Sequence, residues 1–220
     1  MQQTLEEAFG MILRQPVELV GCGRTDTGVH ARYYIAHADV QDIEVSDKLI
    51  YQLNSVLPED IVIQDIEETN ASFHARFDAI ERCYRYYIHF IKDPFLQGQS
   101  FFHPHHGALD QTSIQNVASL LMQYQQFRPF CKTGSDADHF KCKLVESNWI
   151  FEEGHAVYTI RANRFLRGMV RLIVGACLNT GSGKISLQEI ETSMENQSPV
   201  PYAWSVPPEG LFLEDISYPV

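Results

Sequence analysis

The chain has no C-x-x-C pair, and its five cysteines (22, 83, 131, 142 and 177) are odd in number and widely spaced. That pattern excludes the common zinc frameworks and a paired disulfide scaffold. Reduced thiols in a cytoplasmic protein are the simple expectation. No apolar run reaches the length of a membrane-spanning helix, and the N-terminus lacks a charged-then-apolar signal pattern. Tandem repeats and low-complexity segments are missing too. Positive charge is scarce: 17 Lys and Arg stand against 28 Asp and Glu, a net charge of −11. The sum argues weakly against a nucleic-acid binder, because phosphate contacts need local positive potential. It leaves room for a local one, since Arg161, Arg164, Arg167 and Arg171 fall within eleven residues that hold no acid. Arg76, Arg82 and Arg85 form a second, looser group, while acids gather at Glu67-Glu68, Glu152-Glu153 and from Glu189 to Glu195.

What is present is a chain of 220 residues, 45% apolar and 20% charged, with material for one large or two small globular domains. Leu5, Ala8, Phe9, Ile12 and Leu13 recur at helical spacing until Pro16. Strands are expected at 17–20, 33–40, 61–66 and 82–90, with a helix from the Ser46 cap to about Ser55. A stretch rich in Pro, Gly, His and Gln follows Asp93, and a domain boundary is placed there. Beyond it the pattern predicts a helix capped by Asp110 or Thr112, strands at 143–152 and 155–161, and a helix over 165–179. A shorter helix capped by Ser186 and a final strand at 210–218 complete it. The expected fold is α+β, with an N-terminal half at 1–93 and a C-terminal half at 94–220. Each half is ferredoxin-like-related, an antiparallel sheet with helices on one face, and the two flank a central basic cleft.

The most informative stretch is Gly23-Arg24-Thr25-Asp26-Thr27-Gly28-Val29-His30-Ala31. It reads as a strand running into a tight loop with a carboxylate at its tip. Glycines on both sides permit a sharp turn and the close approach of a large ligand. Asp and Gly are also the commonest turn formers, so turn formation alone is the plain alternative. Arg24, His30 and Arg32 crowd the same loop and suit an anionic ligand such as a phosphate backbone. Arg164, Arg167 and Arg171 fall on one face of the helix expected at 165–179, whose apolar residues leave at least Arg171 partly buried. A buried arginine calls for a carboxylate partner. In Arg82-Cys83-Tyr84-Arg85-Tyr86-Tyr87, strand alternation puts Arg82, Tyr84 and Tyr86 on one face. Aromatics interleaved with arginines can stack on an unpaired base and hold its phosphate, or simply pack a sheet.

Other motifs fall short. His103-Pro104-His105-His106 has no further acid, His or cysteine pair at metal-ligand spacing, so no metal is expected. Gly181-Ser182-Gly183-Lys184 fails as a phosphate loop, with Leu178 at the first glycine position and Ile185 where Ser or Thr should hold magnesium. Asp26-Thr27-Gly28 spells the aspartic-protease triplet, and Ile173-Val174-Gly175 could imitate that fold's second motif. The protease needs two such carboxylates sharing a proton, and the chain has one D-T-G.

Six blocks in order carry a more specific signal: G-C-G-R-T-D-T-G-V-H-A, L-N-S-V-L-P-E-D-I, F-H-A-R-F-D-A, R-C-Y-R-Y-Y-I, N-R-F-L-R-G-M-V-R-L-I-V-G and P-P-E-G-L-F-L-E-D-I-S-Y-P. Together, from Gly21 to Pro219, they resemble the bacterial tRNA pseudouridine synthase A family. The resemblance implies that Asp26 is the catalytic aspartate, that Tyr84 stacks on the flipped base, and that Arg171 pairs with the carboxylate. Arg24 would assist base flipping. Arg32, Arg82, Arg164 and Arg167 join it as candidate substrate contacts. The implied substrate is uridine at positions 38 to 40 of the tRNA anticodon stem-loop. The implied assembly is a homodimer with no metal or organic cofactor, and a relative that binds RNA without turnover is the alternative. The family begins with a further strand ahead of the first helix. This chain starts in that helix, so that strand is expected to be missing from the N-terminal sheet.

Overall fold

In the computed structural model, which describes residues 1–219 apart from Asp42, 105–108 and 135–137, the chain is α+β. His105 and His106 of the H-P-H-H run thus lie outside the described residues. Two compact units form: residues 1–24 with 34–79, and residues 25–33 with 80–220. The division differs from the break expected near 93. The cause is strand β4 (Glu81–His89), whose backbone pairs along its length with strands of the C-terminal part and so joins that sheet.

The first unit is held by two helices. The helical repeat of Ala8, Phe9, Ile12 and Leu13 becomes the inner stripe of α1 (Gln2–Leu13). It packs on Leu49 and Leu53 of α2 (Asp47–Val56). The expected strands are much shorter than the pattern suggested. Among the described residues of this unit, only β1 (Val20–Gly21) and β3 (Ala36–His37) pair, and 61–66 forms no strand. Side chains satisfy the backbone there instead. Asn54 of α2 donates through Nδ2 to the Ile63 carbonyl and accepts the Ile63 N–H, both at 2.8 Å. On α1, Gln2 donates to the Leu19 carbonyl at 2.8 Å and Glu6 accepts the Leu19 N–H at 3.0 Å. An amide or carboxylate that takes up such groups removes the penalty of leaving them unpaired.

The second unit is built on a sheet in the order β2 (His30–Ala31), β8 (Leu211–Ser217), β4, β7 (His155–Ala162), β6 (Leu144–Glu152), with β5 (Phe101–Phe102) beside the end of β4. The β8, β4, β7 and β6 neighbours are antiparallel, and β2 lies parallel to β8. Tyr86, Ile88, Tyr158 and Ile160 turn inward against α3 (Gln111–Leu121) and α4 (Met169–Gly181), forming the main core. Asp110 caps α3 by accepting the Thr112 N–H at 2.9 Å. Ser186 and Glu189 form a reciprocal capping box on α5 (Leu187–Asn196). These helix starts agree with the sequence expectation.

The double bond of Asn54 to Ile63 gives a first prediction. Asn54→Ala leaves both backbone groups of Ile63 without their partner and lowers stability by about 1–3 kcal/mol. Urea titration followed by circular dichroism measures the loss. An unchanged midpoint would show that water replaces the amide at no cost.

Candidate active site

Asp26 sits on a turn closed by the Val29 N–H donating to the Asp26 carbonyl at 3.1 Å. Gly28 occupies the third position of that turn with φ 83°, a conformation that side chains beyond glycine rarely adopt. A Cβ at Gly28 would also lie 2.9 Å from the Pro208 ring. After the turn, His30 and Ala31 run in register with Phe212 and Leu213 of β8, and the Arg32 N–H donates to the Leu213 carbonyl at 2.9 Å. The acidic loop is therefore tied to the sheet through its exit strand.

Arg171 lies in the first turn of α4. Its Nη1 donates to Asp26 Oδ2 at 2.8 Å, and its Nε donates to the Val206 carbonyl at 2.7 Å. The Val206 N–H returns a bond to the Arg171 carbonyl at 3.3 Å. The Arg171 side chain is 13% exposed and that of Asp26 29% exposed, so the pair is largely shielded from solvent. Shielding strengthens the attraction and raises the cost of separating the charges. Among the described residues, no other side chain bonds the Asp26 carboxylate, which leaves Oδ1 open for another partner.

The segment that holds Arg171 is itself clamped. The Tyr86 hydroxyl donates to the Pro207 carbonyl at 2.8 Å. The Trp204 carbonyl approaches α4 so closely that a Cβ at Gly175 would lie 1.9 Å from its oxygen. Only a hydrogen fits there. Burial pushes the Tyr86 hydroxyl far above its ordinary range, Glu209 adds to the shift, and the Arg171 charge opposes it. Tyr86 is thus a neutral structural hydroxyl beside the ion pair.

Tyr84 stands two residues earlier on the same strand face, edge-on to Phe165 with ring centroids 5.1 Å apart. In the sheet it pairs with Leu213, which pairs with Ala31. Two strand spacings, about 10 Å, separate the Tyr84 backbone from the strand that leaves the Asp26 loop. Arg82 shares this side and donates to the Asn163 carbonyl at 3.1 Å.

The other arginines depart from the sequence reading. Helix α4 begins at Met169, not Phe165, because Gly168 takes a left-handed conformation with φ 70° just before it. Arg164 and Arg167 therefore precede the helix and do not share a helical face with Arg171. Arg164 donates to the His139 ring at 2.9 Å, and Arg167 donates to the Gly134 carbonyl at 3.2 Å. Arg32 reaches the sheet face that carries Tyr87, opposite the face of Tyr84. Its guanidinium lies over the Tyr87 and Phe212 rings and 3.7 Å from Glu214. A concavity of about 560 Å³ lined by Arg32, Tyr87, Lys92 and Phe212 opens on that side, away from Asp26. Arg24 is exposed and belongs to the first unit.

Sequence reasoning missed Val206, Gly175 and His139. A backbone carbonyl leaves no signature in a sequence, and Gly175 read as a helix residue or as part of the protease-like tripeptide, not as a point of close approach. The protease alternative fails on geometry. The partner of Asp26 is a guanidinium rather than a second carboxylate, and Ile173-Val174-Gly175 lies inside α4. Among the described residues, no group of three His, Cys, Asp or Glu side chains could hold a metal ion.

Comparison with known proteins places this geometry in context. A family model described as tRNA pseudouridine synthase matches residues 122–219. The tRNA pseudouridine synthase A of Porphyromonas gingivalis is 41% identical over 223 residues, spanning 100% of this chain and 88% of that protein. That of Azobacteroides pseudotrichonymphae is 37% identical, spanning 100% and 87%. That of Parabacteroides distasonis is 39% identical, spanning 100% and 86%.

The close approach at Gly175 makes a second prediction. Gly175→Ala forces the Trp204–Val206 segment off α4 and lowers stability by about 1–3 kcal/mol. Thermal denaturation reads the change. A wild-type melting temperature would mean that the segment shifts without strain and does not hold Arg171 in place.

Proposed function

The chain belongs to the tRNA pseudouridine synthase A family, a family of isomerases, and we propose that it converts uridine to pseudouridine at positions 38 to 40 of the tRNA anticodon stem-loop, with Asp26 initiating the reaction. The observation that carries this reading is the Asp26–Arg171 pair, with one carboxylate oxygen held and the other open. The isomerisation exchanges bonds within one nucleotide. The bond from ribose C1′ to uracil N1 breaks, the base turns, and a bond forms from C1′ to C5. The C5 proton is lost and N1 gains one, so no atom is added and no electron acceptor is needed.

Each residue then has a task. Arg171 fixes the Asp26 carboxylate in direction, so that little reorganisation is needed when Oδ1 meets the substrate. The target base must leave its stack to reach that oxygen. Tyr84, backed by Phe165, offers an aromatic face to receive it. Arg32, Arg82, Arg164 and Arg167 are the proposed phosphate contacts of the same unit, and Arg24 the one of the first unit. By the family resemblance, the working form is a cytoplasmic homodimer that uses neither metal nor organic cofactor.

The test uses tRNA incubated with wild-type protein and with Asp26→Asn. Pseudouridine is mapped by carbodiimide modification and primer extension. Wild-type protein yields the product, and the variant loses at least about 100-fold in rate, the low end for a group that acts in the transition state. Product at the wild-type rate from Asp26→Asn would remove Asp26 from the chemistry. Binding of tRNA by both proteins with product from neither would favour an RNA-binding relative without turnover.

A further inference from the structure

The segment Phe73–Asp78 of the first unit holds an aromatic ring out in solvent on a tightly bonded loop. Phe77 is 73% exposed, whereas Ala75, two residues before it, is fully buried. The backbone between them is fixed at many points. The Phe77 and Asp78 N–H groups donate to the His74 carbonyl at 3.1 and 3.0 Å. The Asp78 carboxylate accepts the His74 N–H at 2.7 Å. His74 Nδ1 faces the N–H groups of Arg76 at 3.2 Å and Phe77 at 3.3 Å. The Ala75 N–H donates to His37 Nδ1 at 3.1 Å. In both imidazoles the accepting Nδ1 leaves the hydrogen on Nε2, as a donor to whatever lies beyond the ring.

This loop orders an apolar ring that folding does not bury. Covering a Phe side chain is worth about 1.5–3 kcal/mol, and here that gain is left for a ligand. The ring is not loose. The His74 imidazole supports it at a centroid distance of 4.3 Å and an interplanar angle of 35°. The Arg76 guanidinium stands 5.6 Å from its centroid. An exposed aromatic ring with a cation over it matches an unpaired nucleobase and the phosphate next to it. A protein partner would call for a wider apolar surface than one ring among His, Arg and Asp.

We propose that Phe77, supported by His74, is a stacking platform for an unpaired base of the RNA substrate, with Arg76 on the adjoining phosphate. The proposal rests on the reading of the protein as an RNA-modifying enzyme and adds a contact carried by the first unit. Two measurements test it. Phe77→Ala raises the Kd for unmodified tRNA about 5- to 150-fold, the range for loss of one stacked base. Phe77→Trp keeps wild-type affinity, and its indole emission is quenched when tRNA binds, beyond any change from Trp149 and Trp204 in the wild-type protein. Wild-type Kd for Phe77→Ala, or no added quenching in Phe77→Trp, overturns the platform. Pseudouridine formation by the wild-type protein separates the two ideas: product with either of those results sinks the platform alone, and absence of both RNA binding and product sinks both.

Discussion

The Asp26–Arg171 ion pair is the constraint on which the candidate site depends. It joins residues 145 positions apart, one on a turn and one in the first turn of a helix. A charge pair so far shielded is stable only when both members have further support. Arg171 receives it from the Val206 carbonyl, which takes Nε and leaves Nη1 aimed at the carboxylate. Asp26 receives it from the turn closed at Val29 and from the strand pairing that follows. The geometry of two side chains is thus set by backbone.

One strand serves both members. β8 fixes the exit of the Asp26 loop through His30 and Ala31, and the segment leading into β8 holds Arg171 through Val206. The same strand pairs with β4, which carries Tyr84 and Tyr86 on a single face. Tyr86 and Tyr84 show how similar residues divide labour by position. The first is fully buried and bonds the Pro207 carbonyl; the second is half-buried and stands edge-on to Phe165. A candidate site placed on a sheet and a helix start, with its loops stitched to both, has its charged groups held in fixed directions, which is what the proposed reaction requires.

Much of this was legible in the sequence, for identifiable reasons. Helix starts with Ser or Asp caps were readable because a cap is local chemistry, as at Asp110 and Ser186. The strands at 81–89, 144–152 and 155–162 were readable because their alternation is long. The need of a partly buried Arg171 for a carboxylate followed from its apolar surroundings, and Asp26 supplies it. The segment at 61–66 misled because alternation shows a face without naming a partner, and Asn54 took the place of a strand. Arg164 and Arg167 misled because the helical repeat runs through Gly168, whose left-handed backbone starts the helix later. The carbonyl of Val206 and the bare face of Gly175 depend on tertiary approach and were beyond reach.

The central claim is that Asp26 and Arg171 act as one unit. A double-mutant cycle on kcat/KM for pseudouridine formation in tRNA tests it most directly, using Asp26→Asn, Arg171→Met and the two combined. Groups that work as a unit are strongly non-additive. The account predicts that Arg171→Met alone lowers the rate and that the double variant falls no further than Asp26→Asn. Losses that multiply, with the double variant slower by the product of the two single effects, would contradict it.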